Sequence, residues 1–307
     1  MTKIRETGNT SMVQDRRGVS GGGGGGGLGS MFGGGGIPLP GKIGGGLVGI
    51  ILTLAIAFLP RLLNGSGGGL SSNNVVSGGS GDSSQAADAA NGTCNSDIES
   101  IVCGATVDVQ EFWQREFQSK GETYEVTQTV FFSGSTGTGC GQASSSTGPF
   151  YCPNDHLVYI DLDFMVQLQK EFNAGGDLAS QYIVAHEYGH HVQNLLGINA
   201  KVQQAQQQNP AAANKYSVAL ELQADCFAGV WANDAHARGQ FDNDAEINEA
   251  LNAAAAVGDD RIQQKTQGRI DPETFTHGTS EQRMTWFNRG YTTGDREQCN
   301  TFADVLP

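Results

Sequence analysis

The chain is 307 residues long, carries a formal net charge of −14, and has glycine at 45 positions. The charge is uneven: residues 1–62 hold six Lys and Arg against two acids, a balance of +4 that leaves −18 for the rest. So acidic a body argues against nucleic acid as partner, and the opposite signs of the two parts point to a membrane between them.

Glycine clusters in "SGGGGGGGLGSMFGGGG" (20–36) and in "GSGGGLSSNNVVSGGSGDSSQAADAANGT" (65–93). Neither run has the apolar density to offset the entropy of ordering, so residues 1–42 read as a disordered tail and 64–93 as a flexible linker. Between them, "IGGGLVGIILTLAIAFL" (43–59) holds no charge, and as a helix it would reach ~26 Å. Extended to Leu63, the stretch 43–63 is expected to be a single transmembrane anchor. A cleavable signal peptide competes, because Ala55-Ile56-Ala57 fits an A-x-A site, but the preceding 42 residues are far too long for its charged region. Basic residues ahead of the span place the N-terminus in the cytoplasm and the body, 94–307, outside.

All six cysteines follow the span: Cys94, Cys103, Cys140, Cys152, Cys226 and Cys299. An even count in an exported domain reads as disulfides, with a cysteine zinc site as the alternative, although no C-x-x-C pair occurs. Six cysteines allow 15 connectivities. Sequence-near pairing suggests Cys94–Cys103 and Cys140–Cys152, which leaves Cys226–Cys299.

Within the body, "DIESIVCGATVDVQEFWQREFQSKG" (97–121) has helical spacing and ends at a glycine. "YEVTQTVFFSG" (124–134) and "HLVYIDLDF" (156–164) alternate like strands, and the turn-rich segment 140–155 separates them. Asp177 is placed to open a helix running to Leu196 with Gly197 as its stop, and Pro210 to open a second ending near Gly239. A third helix covers 242–258, and Thr279 with Gln282 marks the capped start of a last one. One helix, two or more strands and then a run of helices make an α+β fold, a small sheet with a helical lower half.

Three of the six histidines fall in "VAHEYGHHVQ" (184–193). His186 and His190 are four apart on the expected helix, so their imidazoles project from one face and can close on one ion. Glu187 lies between them, free to take a proton from a water that the metal activates. Catalytic zinc takes three protein ligands, and the third is read in "SVALELQADCFAGVWA", where Glu221 and Asp225 are one turn apart among apolar neighbours. Carboxylates in such a setting are costly without a cation or donor to satisfy them. Glu221 is therefore assigned to the metal, and Asp225 to the outer N–H of His186. His191 faces about 100° away from His190 and reads as a packing residue, His156 as a surface one. His236, near a helix C-terminus, needs no functional role.

Together, "GPFYCP", "VYIDL", "HEYGHHVQ", "ELQADCFAGVWA", "GDDRIQ" and "FTHGTSEQR" resemble the bacterial family described as putative neutral zinc metallopeptidases, membrane-anchored and gluzincin-like. The resemblance covers about residues 94–307. It implies a zincin-like domain, one zinc per chain held by His186, His190 and Glu221, and general-base action by Glu187. It also supports the Cys140–Cys152 pairing, and it brings no known substrate. As in such peptidases, "VYIDLDF" is a candidate for the edge strand that pairs with substrate backbone. His277 is expected to donate to the oxyanion, with Arg283 adding charge or orienting a neighbour.

The expected protein is a membrane-anchored, extracytoplasmic zinc endopeptidase acting on peptide or unfolded protein. The alternatives are a zinc-stabilised binding or scaffold domain and a zinc amidase acting on cell-wall peptide.

Overall fold

The computed structural model describes residues 2–5, 10–18, 90–91, 94–172, 176–241 and 244–303. Helix α1 (Asp97–Ser119) starts at a reciprocal cap: the Glu99 N–H donates to the Ser96 hydroxyl, and the Ser96 N–H to the Glu99 carboxylate. Val102, Ala105, Val109, Phe112 and Trp113 recur on its inward face and join the main core.

The main sheet has five strands, β1 (Val13–Asp15), β2 (Ala90–Asn91), β3 (Thr129–Phe132), β6 (Phe150–Cys152) and β7 (Leu157–Asp161). Their order is β2-β1-β3-β7-β6, with β1, β3 and β7 parallel and the outer strands antiparallel to their neighbours. All four residues of β3 are buried, as a parallel strand covered on both faces requires. Its alternation decides the layers. Phe131 faces the helices with Val158 and Ile160, while Val130 and Phe132 join Phe150 and Tyr159 on the far face. The hairpin of β4 (Ser135–Thr138) and β5 (Gly141–Ser144) covers that far face through Ala143, and Cys140–Cys152 ties it to β6.

The helical half comprises α2 (Leu162–Phe172), α3 (Asp177–Leu195), α4 (Ile198–Gln208), α5 (Ala213–Ala237), α6 (Asp244–Ala256), α7 (Asp259–Gln267) and α8 (Ser280–Thr293). Helix α3 is the axle, packed against α1, α5 and α6. Helices α5 and α8 touch backbone to backbone: a side chain at Gly290 would run into the Cys226 carbonyl, and one at Gly229 into that of Phe287. Cys226–Cys299 closes the same seam.

The α+β class holds, and the three disulfides join the expected pairs, Cys94–Cys103 being the third. The boundaries change. The stretch taken for a disordered tail, 1–42, contributes residues 2–5 and 10–18 to the folded body, with β1 inside the sheet. The stretch taken for linker, 64–93, contributes β2. The folded unit therefore begins well before residue 94. Among the described residues no helix is long and apolar enough to cross a membrane, so the anchor has no structural support; segment 43–63 lies outside those residues. Strand β7 is not an edge, because β6 pairs along its open side. Its run also stops at Asp161, whose carboxylate accepts the N–H groups of Asp163 and Phe164 and turns the chain into α2.

Candidate metal centre

Helices α3 and α5 cross with their polar residues facing each other. His186, Glu187 and His190 come from α3, Glu221 and Asp225 from α5, and His186, Glu187, Glu221 and Asp225 are all buried. His186 Nε2 lies 3.2 Å from one Glu221 carboxylate oxygen and His190 Nε2 lies 3.4 Å from the other. One ligand atom from each of the three residues falls within 4.8 Å of the others. Two imidazoles and a carboxylate that converge in this way fit a zinc ion with a coordination position left open.

The rear of the site fixes these ligands. His186 Nδ1 donates to Asp225 Oδ1 at 2.8 Å, which aims Nε2 at the Glu221 carboxylate. Asp225 also accepts from Tyr182 Oη at 2.6 Å and from Arg283 Nε and Nη2 at 2.8 and 2.9 Å. Arg283 reaches it from α8 and also donates to the Val257 carbonyl. His190 is held through Gln193 Oε1 at 2.8 Å, and the Gln193 amide is in turn spent on the Leu220 carbonyl.

Charge follows the geometry. Burial alone would raise Glu221, but His190, His277 and His186 outweigh it and hold the carboxyl well below the usual range. Burial opposes charge on His186 too, yet Asp225 and Glu221 lift its pKa to about 10. A divalent cation would compete for that proton's place. Burial pushes the Glu187 carboxyl above its ordinary value, only partly offset by the two histidines, as suits a proton acceptor at neutral pH.

His277 arrives on the loop before α8. Asp259 Oδ2 accepts the backbone N–H groups of Thr276, His277 and Gly278, and Asp259 Oδ1 sits 3.3 Å from His277 Nδ1. Asp260 beside it accepts from the Ser280 N–H and hydroxyl. The two aspartates thus pin both the loop and the helix start.

His186, Glu187, His190, Glu221, His277 and Arg283 line a cleft of about 270 Å³. Much of its remaining wall is apolar, from Phe164 and Leu168 of α2, Ile183, Val257, and Phe150 and Tyr151 of the outer strand β6, and Asn154, Asn199 and Gln203 add polar groups.

Every residue that the sequence assigned to the site is there. His186, His190 and Glu221 converge, Glu187, His277 and Arg283 line the same cleft, and Asp225 lies directly behind His186. Arg283 is 3% exposed and grips Asp225. His191 is a packing residue, bonded to the Glu125 carbonyl and to Tyr151 Oη. Asp259, Tyr182 and Gln193 had escaped notice. Asp259 stands in "GDDRIQ", where an acid at a helix start reads as an ordinary cap.

Paired histidines one turn apart with a glutamate between them, completed by a carboxylate from the crossing helix, define the site type of zinc-dependent peptidases. The family description "Putative neutral zinc metallopeptidase" matches residues 2–302, and the chain belongs to that family. It is 44% identical over 306 residues to the uncharacterized protein YpfJ of Escherichia coli K12, covering 98% of each chain. The uncharacterized proteins Mb2605 of Mycobacterium bovis and Rv2575 of Mycobacterium tuberculosis are each 53% identical over 182 residues, 56% of this chain and 61% of theirs. No solved structure gives a significant match.

Proposed function

We propose that the protein is a zinc-dependent endopeptidase acting outside the cytoplasm on extended peptide or unfolded protein. The convergence of His186, His190 and Glu221 beside Glu187, in a largely apolar cleft, carries this reading. When bound, zinc would polarise the scissile carbonyl and make water a nucleophile at neutral pH. Glu187 takes the proton of the attacking water and passes it to the leaving amine. His277, held by Asp259, donates to the carbonyl oxygen as its negative charge grows. Asp225, clamped by Tyr182 and Arg283, keeps the His186 ring turned toward the metal. The apolar walls favour a bulky apolar side chain next to the scissile bond.

The export reading is supported by three disulfides, which persist in oxidising compartments. The test is metal content together with hydrolysis of a denatured protein by the purified full chain. One zinc per chain and cleavage abolished by a chelator, then restored by zinc, is the expected result. A chain that binds zinc and cleaves neither denatured proteins nor peptides would instead be a zinc-stabilised scaffold.

A further inference from the structure

The N-terminal segment is built into the body rather than appended to it. Strand β1 lies between β2 and β3, with Val13 opposite Thr129 and Asp15 opposite Phe131, and Val13 is fully buried. Upstream, Thr2 and Ile4 are buried against the back of the metal-bearing helix. Gln181, about one turn before His186 on α3, donates to Thr2 Oγ1 at 2.7 Å and to the Ile4 carbonyl at 2.8 Å. The Lys3 N–H donates to the Gln240 carbonyl at 2.6 Å. Helix α1 makes room for this segment, because a side chain at Gly104 would meet Arg5 backbone atoms at 2.6 Å.

Its charges are absorbed as well. Arg5 bridges Asp97 and Asp177, the first residues of α1 and α3. Arg17 binds Asp15 and Glu99, Arg16 donates to Tyr159 Oη, and Lys3 Nζ donates to the Gly239 carbonyl. These are four of the six basic residues among residues 1–62. The two left are Lys42 and Arg61, one on each side of segment 43–59, and they give no orientation bias.

A strand cannot pair with its neighbour across ~30 Å of hydrocarbon. We propose that residues 2–17 and the metal-bearing body lie on the same side of the membrane, so that any crossings between residues 18 and 89 are even in number. A single span with a cytoplasmic tail is incompatible with this arrangement. The proposal does not depend on the peptidase reading, and its test reads topology rather than activity.

The test uses the full chain in spheroplasts, with Ser11→Cys, in the exposed turn before β1, or Lys120→Cys, at the exposed end of α1, each probed with a membrane-impermeant maleimide. The native cysteines are all disulfide-bonded and stay silent. Both positions are expected to label alike, before lysis or only after it. Labelling of one in intact cells and of the other only after lysis would overturn the proposal. Should either variant fold poorly, hydrogen exchange on the unmodified chain in native membranes reads the same point. Strong protection of residues 13–15 is expected there, and exchange at the rate of a free peptide would overturn it.

Discussion

Asp225 shows how much one buried carboxylate can organise. Four donor contacts from three side chains converge on it, so its charge is fully compensated and its position fixed. Asp225→Asn would lose that match, and zinc affinity is expected to fall ~10–100-fold, read by competition with a chelating dye. Glu221→Ala removes a ligand and should lose far more. Glu187→Gln separates the two roles: metal content stays at one per chain while hydrolysis disappears, and loss of metal there would show that Glu187 is a ligand. For His277→Ala the expected loss is ~10²–10³ in kcat with zinc content and KM nearly unchanged. Asp259→Asn should move kcat in the same direction by less, since the histidine stays and only its aim is relaxed. An Asp259 variant with unaltered kcat would mean the aspartate merely ties the loop.

At the scale of elements, helix α3 was the most legible part of the chain, because its candidate ligands follow from a single local period: His186 and His190 need only a helix between them. Glu221 and Asp225 were legible for a related reason, two acids one turn apart among apolar residues. Strand β1 was not legible. "VQD" is three residues long and mostly polar, and its partner β3 lies beyond the glycine tracts, so no periodicity announces it. The hairpin β4–β5 was hidden in the same way by Ser, Thr and Gly, and the edge role went to β7 because β6, beside it, was read as loop.

The ion pairs that hold β1 carry a pH signature. Arg17 hydrogen-bonds to Asp15 and holds its carboxyl below the ordinary value; for Glu99, burial pushes the other way but is outweighed by the Ser96 N–H and Arg17. Groups with depressed values stabilise the fold above the usual carboxylate range and lose that contribution as pH falls through their own. Acidification below the usual carboxylate range should therefore loosen residues 13–17, visible as lost amide protection there. Protection of residues 13–17 that does not change with pH would refute this. The α5–α8 seam tests backbone packing instead. Gly290→Ala forces the two backbones apart and should cost at least ~1–3 kcal/mol, read as a lowered Tm with Arg283 displaced from Asp225.

Over the whole molecule, the cleft lies between a sheet edge and a helical floor, and the three disulfides guard different boundaries of that arrangement. The outer strand β6 is three residues long, and proline stands at each end of it, Pro149 and Pro153. Neither proline has an N–H to offer, so the open side of the ladder ends abruptly in both directions. A guest chain would find ~10 Å of template, enough to hold a few residues in one register and too little to slide along. The same shortness protects the protein from itself: two copies meeting edge to edge have no continuous ladder along which to polymerise.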